Sequence, residues 1–159
     1  MQYLENPSYL LCDRTYISFT RPLLRISRMD GLSSLAVAGG AAAGALLRWV
    51  LEVTLNPVFP LTPLGTLVAN LVGGFLMGIA LHFLAIFHQV SPRVRLVVTT
   101  GFLGGLTTFS TFSAEVVDLL GRGFYDLSFL LIGAHVGGSI ILTILGLVIA
   151  RLVMRGGET

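Results

Sequence analysis

The chain has 159 residues, of which 54% are hydrophobic and only 11% charged, with a mean hydropathy of +0.86. That composition excludes an ordinary soluble domain and points to an integral membrane protein. All ten basic residues are arginines and the net charge is +2; the arginines flank apolar segments instead of forming a dense patch, which argues against a nucleic-acid partner.

A helical span takes roughly 20 apolar residues, so a chain of this length holds about four spans joined by short loops. Residues 1–31 read as a basic juxtamembrane tail with Arg14, Arg21, Arg25 and Arg28, lying near anionic headgroups. Met29 opens a segment that reads as a normal start, which leaves the native start open between Met1 and Met29. Cys12, the single cysteine, follows no long apolar run and reads as a free thiol, with no internal disulfide.

Residues 32–155 read as the four-helix transmembrane domain, followed by a short tail, 156–159. The first span covers about 32–55, with Ser33 and Ser34 as plausible caps. Gly40 and Gly44 form a small-xxx-small pair that lets helices approach closely. Arg48, beside Trp49, is either an interfacial anchor or a cation at a vestibule mouth that concentrates anions; Glu52, one turn on, is placed to pair with it. Asn56-Pro57 and the prolines 60 and 63 mark a rigid turn.

The second span, about 64–87, carries Asn70 among apolar neighbours. An unpaired amide in hydrocarbon costs several kcal/mol, so Asn70 either holds two helices together or faces a pore. His82 and His88 read as interfacial.

The third span, about 96–120, is poor helix material. Gly101, Gly104 and Gly105 precede Thr107-Thr108-Phe109-Ser110-Thr111-Phe112-Ser113, and each glycine costs about 1 kcal/mol in a helix interior. The segment reads as a helix that stops near 104–107 and restarts, with free carbonyls suited to a cation and free N–H groups suited to an anion. Glu115 and Asp118 follow near the span's end, where an intramembrane acid is a functional candidate and a wet vestibule is an equal alternative.

The fourth span, about 127–153, puts His135, Ser139 and Thr143 on one helical face. Their hydroxyls either bond back to their own helix or form a ladder along a conduit. Four spans place both termini on one side, together with Arg93, Arg95, Arg151 and Arg155, which favours cytoplasmic termini.

Gly-Phe-Leu-Gly-Gly-Leu-Thr-Thr-Phe-Ser-Thr-Phe-Ser at 101–113 resembles the signature of the Fluc (CrcB) fluoride channel family. So do Gly44-Ala-Leu-Leu-Arg48 and the stretch from Gly65 through Asn70 to Gly74. The resemblance covers about residues 35–155. It implies an all-α membrane protein, a dual-topology antiparallel homodimer of four-helix subunits with a broken third helix, seated in the bacterial plasma membrane among lipid.

It further implies a channel, not an enzyme, that passively exports fluoride from the cytoplasm and lowers fluoride toxicity. By motif position the pore residues are Phe109, Phe112, Asn70, Ser110, Thr111, Ser139 and Thr143, with Thr108, Glu115 and His135 as further polar positions and Arg48 at the vestibule. A structural, non-transported sodium is implied at the backbone carbonyls of Gly104 and Thr107. The chain departs from the family's Tyr/Ser track on the last helix: Ser139 fits, but His135 stands where a Ser is expected and Leu131 where a Tyr is expected. His135 also raises the question of pH dependence.

Two other functions compete. A small four-span coupled secondary transporter needs an acid at mid-membrane, and Glu52 and Glu115 lie near the span ends. A purely structural subunit gives no reason for a glycine- and threonine-rich third span.

Overall fold

A computed structural model describes residues 30–155 except Pro60 and His88; the side chain of Arg155 is also outside the description. The basic tail to Met29, Cys12, Pro60, His88 and residues 156–159 therefore lie outside the described residues.

The described chain is all helical. α1 spans Gly31–Leu55 and is followed by a 3-10 turn, Asn56–Val58. α2 spans Leu64–Ile86. α3, Pro92–Leu96, runs into a π-helical stretch, Val97–Leu103, and then a single turn, α4, Gly104–Leu106. α5 spans Phe109–Gly121 and α6 spans Tyr125–Arg155. Four stretches are long and apolar enough to cross a membrane: Gly31–Val58, Leu64–Ile86, Pro92–Gly121 and Tyr125–Met154.

Local chemistry sets the ends. Asp30, not Ser33 or Ser34, caps α1: its carboxylate accepts from the Ser33 N–H at 2.8 Å, because an acid just before the first turn meets the free N–H groups there. The same carboxylate pairs with Arg93 at 3.0 Å and so ties the start of the first span to the start of the third. The Asn56 side chain accepts from the Gly65 N–H at 2.7 Å, closing the proline turn.

The spans pack in two like-directed pairs. α1 runs alongside the third span, with Gly40 beside Gly101 and Gly44 beside Phe102 and Leu106. α2 runs alongside α6, with Asn70 at His135, Gly74 at Ser139 and Gly78 at Thr143 and Leu147. Glycine is required at two of these crossings. A Cβ on Gly44 would overlap the Phe102 carbonyl, and one on Gly78 would overlap the Thr143 carbonyl. Close backbone approach of this kind is how helices gain packing where lipid offers no hydrophobic drive.

Two small buried clusters hold the pairs together. Ala69, Leu103 and Leu106 join α2 to the third span, and Phe112, Val116, Leu119 and Leu131 join α5 to α6. The site lies between these clusters.

Candidate functional site

The helix ends at Leu106, and the Thr107 N–H makes its last helical hydrogen bond. Thr107 has φ −82° and ψ 150°, and Thr108 has φ −147° and ψ 125°, both extended. The helix resumes at Phe109 with Thr108 as its cap, whose hydroxyl accepts from the Thr111 N–H at 3.2 Å. The Thr107 N–H and hydroxyl both turn back to the Leu103 carbonyl, at 3.0 and 2.9 Å.

Asn70 supplies what the two extended residues lose. Its Oδ1 accepts from the Thr108 N–H at 2.7 Å, and its Nδ2 donates to the Thr108 carbonyl at 2.9 Å. The side-chain amide thereby acts as a second peptide group laid against Thr108, satisfying a donor and an acceptor that no helix turn can reach. Nδ2 also lies 2.9 Å from His135 Nδ1. The polar capacity of Asn70 is thus spent on α6 and on the third span.

A cavity of about 440 Å³ opens beside this contact. Asn70, Thr107, Thr108, Phe109, Phe112, His135, Ser139 and Thr143 all line it, so three separate spans deliver eight of the expected site residues to one space. Gly73, Gly74, Met77 and Val136 complete the wall.

Within it, Phe109 and Phe112 meet edge to face, with centroids 5.4 Å apart and planes at 72°. Phe112 also stacks on the His135 ring at 4.4 Å and 24°. Phe112 is buried, whereas Phe109 is 75% exposed. Thr143 donates to the Ser139 carbonyl at 2.8 Å and sits 3.0 Å from the Gly74 carbonyl, so its proton is held by backbone. Ser110 and Thr111 are not among the lining residues; their hydroxyls lie 3.2 and 3.1 Å from that of Thr108.

The other expected residues lie elsewhere. Arg48 is half-buried, donates to Glu52 at 3.0 Å and reaches the Gly105 carbonyl at 3.4 Å. Glu115 accepts from the Thr66 hydroxyl and borders a second cavity of about 320 Å³ with Asp118 and Arg122. Its Oε2 is buried with no partner among the described residues. Gly104 is exposed, on the turn before Thr107.

Sequence reasoning missed Thr66, whose hydroxyl the Glu115 carboxylate takes, and the direct contact of Asn70 with His135. A hydroxyl in the first turn of α2 carries no sequence signal of its own. The Asn70 to His135 contact was reachable only by aligning two spans that are 65 positions apart.

Four bilayer-length helices with polar side chains gathered between them define a multi-pass membrane protein. Residues 35–147 match the family described as "CrcB-like protein, Camphor Resistance (CrcB)". The chain is 56% identical over 115 residues to a protein of Chromobacterium violaceum, covering 72% of this chain and 91% of that one. It is 55% identical over 119 residues to one of Nitrosospira multiformis, covering 73% and 91%, and 55% identical over 118 residues to one of Ralstonia pickettii, covering 74% and 94%. Each of these relatives is named a fluoride-specific ion channel, FluC. The chain belongs to the CrcB-like family, a family of ion channels and not of enzymes.

Proposed function

We propose that this protein is a fluoride channel that passively exports fluoride from the cytoplasm. One observation carries the reading: Asn70, Phe109, Phe112, His135 and Ser139 surround a single cavity where Thr107 and Thr108 leave helical geometry, in a chain whose relatives are named for fluoride. Fluoride is small and holds its water tightly, so a pore must offer compact donors while adding no fixed charge that would trap the ion. Hydroxyls and N–H groups are such donors, and a phenyl ring presents a positive edge. No carboxylate or guanidinium lines this cavity among the described residues. Arg48 is the vestibule cation of this reading, its charge partly offset by Glu52.

The working unit is a homodimer with its two copies inserted in opposite orientations. Phe109 is 75% exposed, an aromatic ring left uncovered by its own chain, and Ser110 beside it is also exposed. A two-fold partner places the same surface against itself. The interrupted third helix also suits a central sodium. The Thr108 N–H, which would bond the Gly104 carbonyl in a continuing helix, is taken by Asn70, and the Thr111 N–H, which would bond the Thr107 carbonyl, is taken by the Thr108 hydroxyl. Two carbonyls per chain are left for a hard monovalent cation, and a two-fold partner doubles them. A bound cation there would offset carbonyl repulsion across the interface. The test is fluoride efflux from liposomes that contain the protein.

A further inference from the structure

We propose that His135 is an anion-binding residue of this conduit: Asn70 holds its proton on Nε2, and that Nε2–H donates to fluoride entering the cavity. The inference rests on the fluoride-channel reading and adds a ligand at a position where the family pattern has a Ser.

The proton's place follows from hydrogen bonding alone. A backbone N–H can only donate, so the Asn70 atom 2.7 Å from the Thr108 N is the oxygen Oδ1. The other terminal atom of Asn70 is therefore Nδ2, and it donates to the Thr108 carbonyl and toward His135 Nδ1 at 2.9 Å. Nδ1 must accept, which leaves the neutral imidazole's proton on Nε2. Usually a histidine tautomer rests on an arbitrary amide orientation. Here the backbone of Thr108 fixes the amide, and the amide fixes the ring.

That Nε2–H has no hydrogen-bond partner among the described residues and is buried; His135 as a whole is 3% exposed. The ring lines the cavity, and Phe112 stacked on it at 4.4 Å fixes its plane. Buried donors without a partner are rare in proteins and call for an explanation. An acceptor that enters the cavity supplies one once the atoms covering Nε2 shift aside. Such an acceptor has to be compact and to have shed its water, which describes fluoride in transit.

The same geometry changes the role of Asn70. Both Nδ2 hydrogens are engaged, one with Thr108 and one with His135, so in this arrangement Asn70 is a positioning residue and the donor offered to the ion belongs to His135.

The test uses the full chain in liposomes with 15N-labelled histidine, with the His135 signals assigned by their loss in His135→Leu. In the wild type the His135 pair should show the Nε2–H tautomer, and sodium fluoride should move the Nε2 resonance where equal sodium chloride does not. Asn70→Ala should release the tautomer preference. His135→Leu should lower fluoride efflux by about tenfold, the scale of one lost hydrogen bond in a dry site, and His135→Gln, which keeps an N–H donor, should lose less. An Nε2 resonance indifferent to fluoride in a protein that conducts would overturn the inference and leave the channel reading intact. Absence of wild-type efflux would overturn the channel reading, and the resonance titration would still decide the anion site. Should His135→Leu fail to fold, the same signals are assigned by their loss in His135→Gln, and the titration of the wild type remains decisive.

Discussion

Asn70 and Thr108 exchange two hydrogen bonds, at 2.7 and 2.9 Å, across 38 positions of sequence. This exchange is what allows Thr107 and Thr108 to be extended inside an apolar span, where unsatisfied backbone groups are costly. Asn70→Asp keeps the acceptor and loses both donors, leaving the Thr108 carbonyl unpaired and drawing the His135 proton from Nε2 to Nδ1. We expect fluoride efflux to fall at least about tenfold and stability to drop by about 1–3 kcal/mol, the cost of a buried polar group left unsatisfied. Thermal unfolding in detergent and liposome efflux check the two effects separately.

The two phenylalanines should separate in the same assays. Phe112 is buried between Phe109 and His135, whereas Phe109 is 75% exposed in one chain. Phe109→Ile should therefore lower efflux with little change in the melting of the single subunit. Phe112→Ile should lower efflux and also destabilise, since aromatic pairing alone is worth about 0.5–1.5 kcal/mol. Equal melting temperatures for both variants would count against this placement.

Close helix approach predicts a contrast between glycines of one span. A Cβ on Gly44 would overlap the Phe102 carbonyl, whereas one on Gly39 meets nothing within 4 Å. Gly44→Ala should cost about 1–3 kcal/mol, the scale of overpacking, and Gly39→Ala should be near neutral. Size-exclusion profiles and melting curves of the two variants decide this.

Asp30 makes acid stability a further check. The Ser33 hydroxyl and N–H, together with Arg93, pull its carboxyl from 3.8 down to about 2. A carboxyl lowered on folding stabilises the fold at pH above its unfolded value, and that contribution fades as pH falls from about 4 to about 2. Asp30→Asn should show a flatter melting curve than the wild type across that window. A carbon-13 titration should place the Asp30 midpoint near 2. A midpoint close to 4 would mean that the cap and the Arg93 pair do not form.

Four spans were legible because length and hydropathy set them almost alone, and the Gly40 and Gly44 spacing pointed to the close packing found against Gly101 and Phe102. The cap of α1 was misread. Ser33 and Ser34 are common cap residues, but Asp30 precedes them and its charge suits the helix N-terminus better. Composition pointed to 104–107 as the weak part of the third span, whereas the extended residues are Thr107 and Thr108. Glycine content reports intrinsic helix cost; the position of the Asn70 amide, contributed by another helix, decides where the backbone bonds go. For Asn70 and Thr143 the sequence left a structural and a pore role open, since it gives a polar group's depth and not the partner waiting for it.

Fluoride efflux from liposomes reconstituted with the wild-type chain, followed with a fluoride electrode after addition of a potassium ionophore, decides whether the protein is a passive fluoride channel. A passive fluoride channel gives rapid efflux that depends on the ionophore, proceeds without a proton gradient and falls sharply in Phe109→Ile. Efflux that requires a proton gradient, or no efflux above protein-free liposomes, would contradict it.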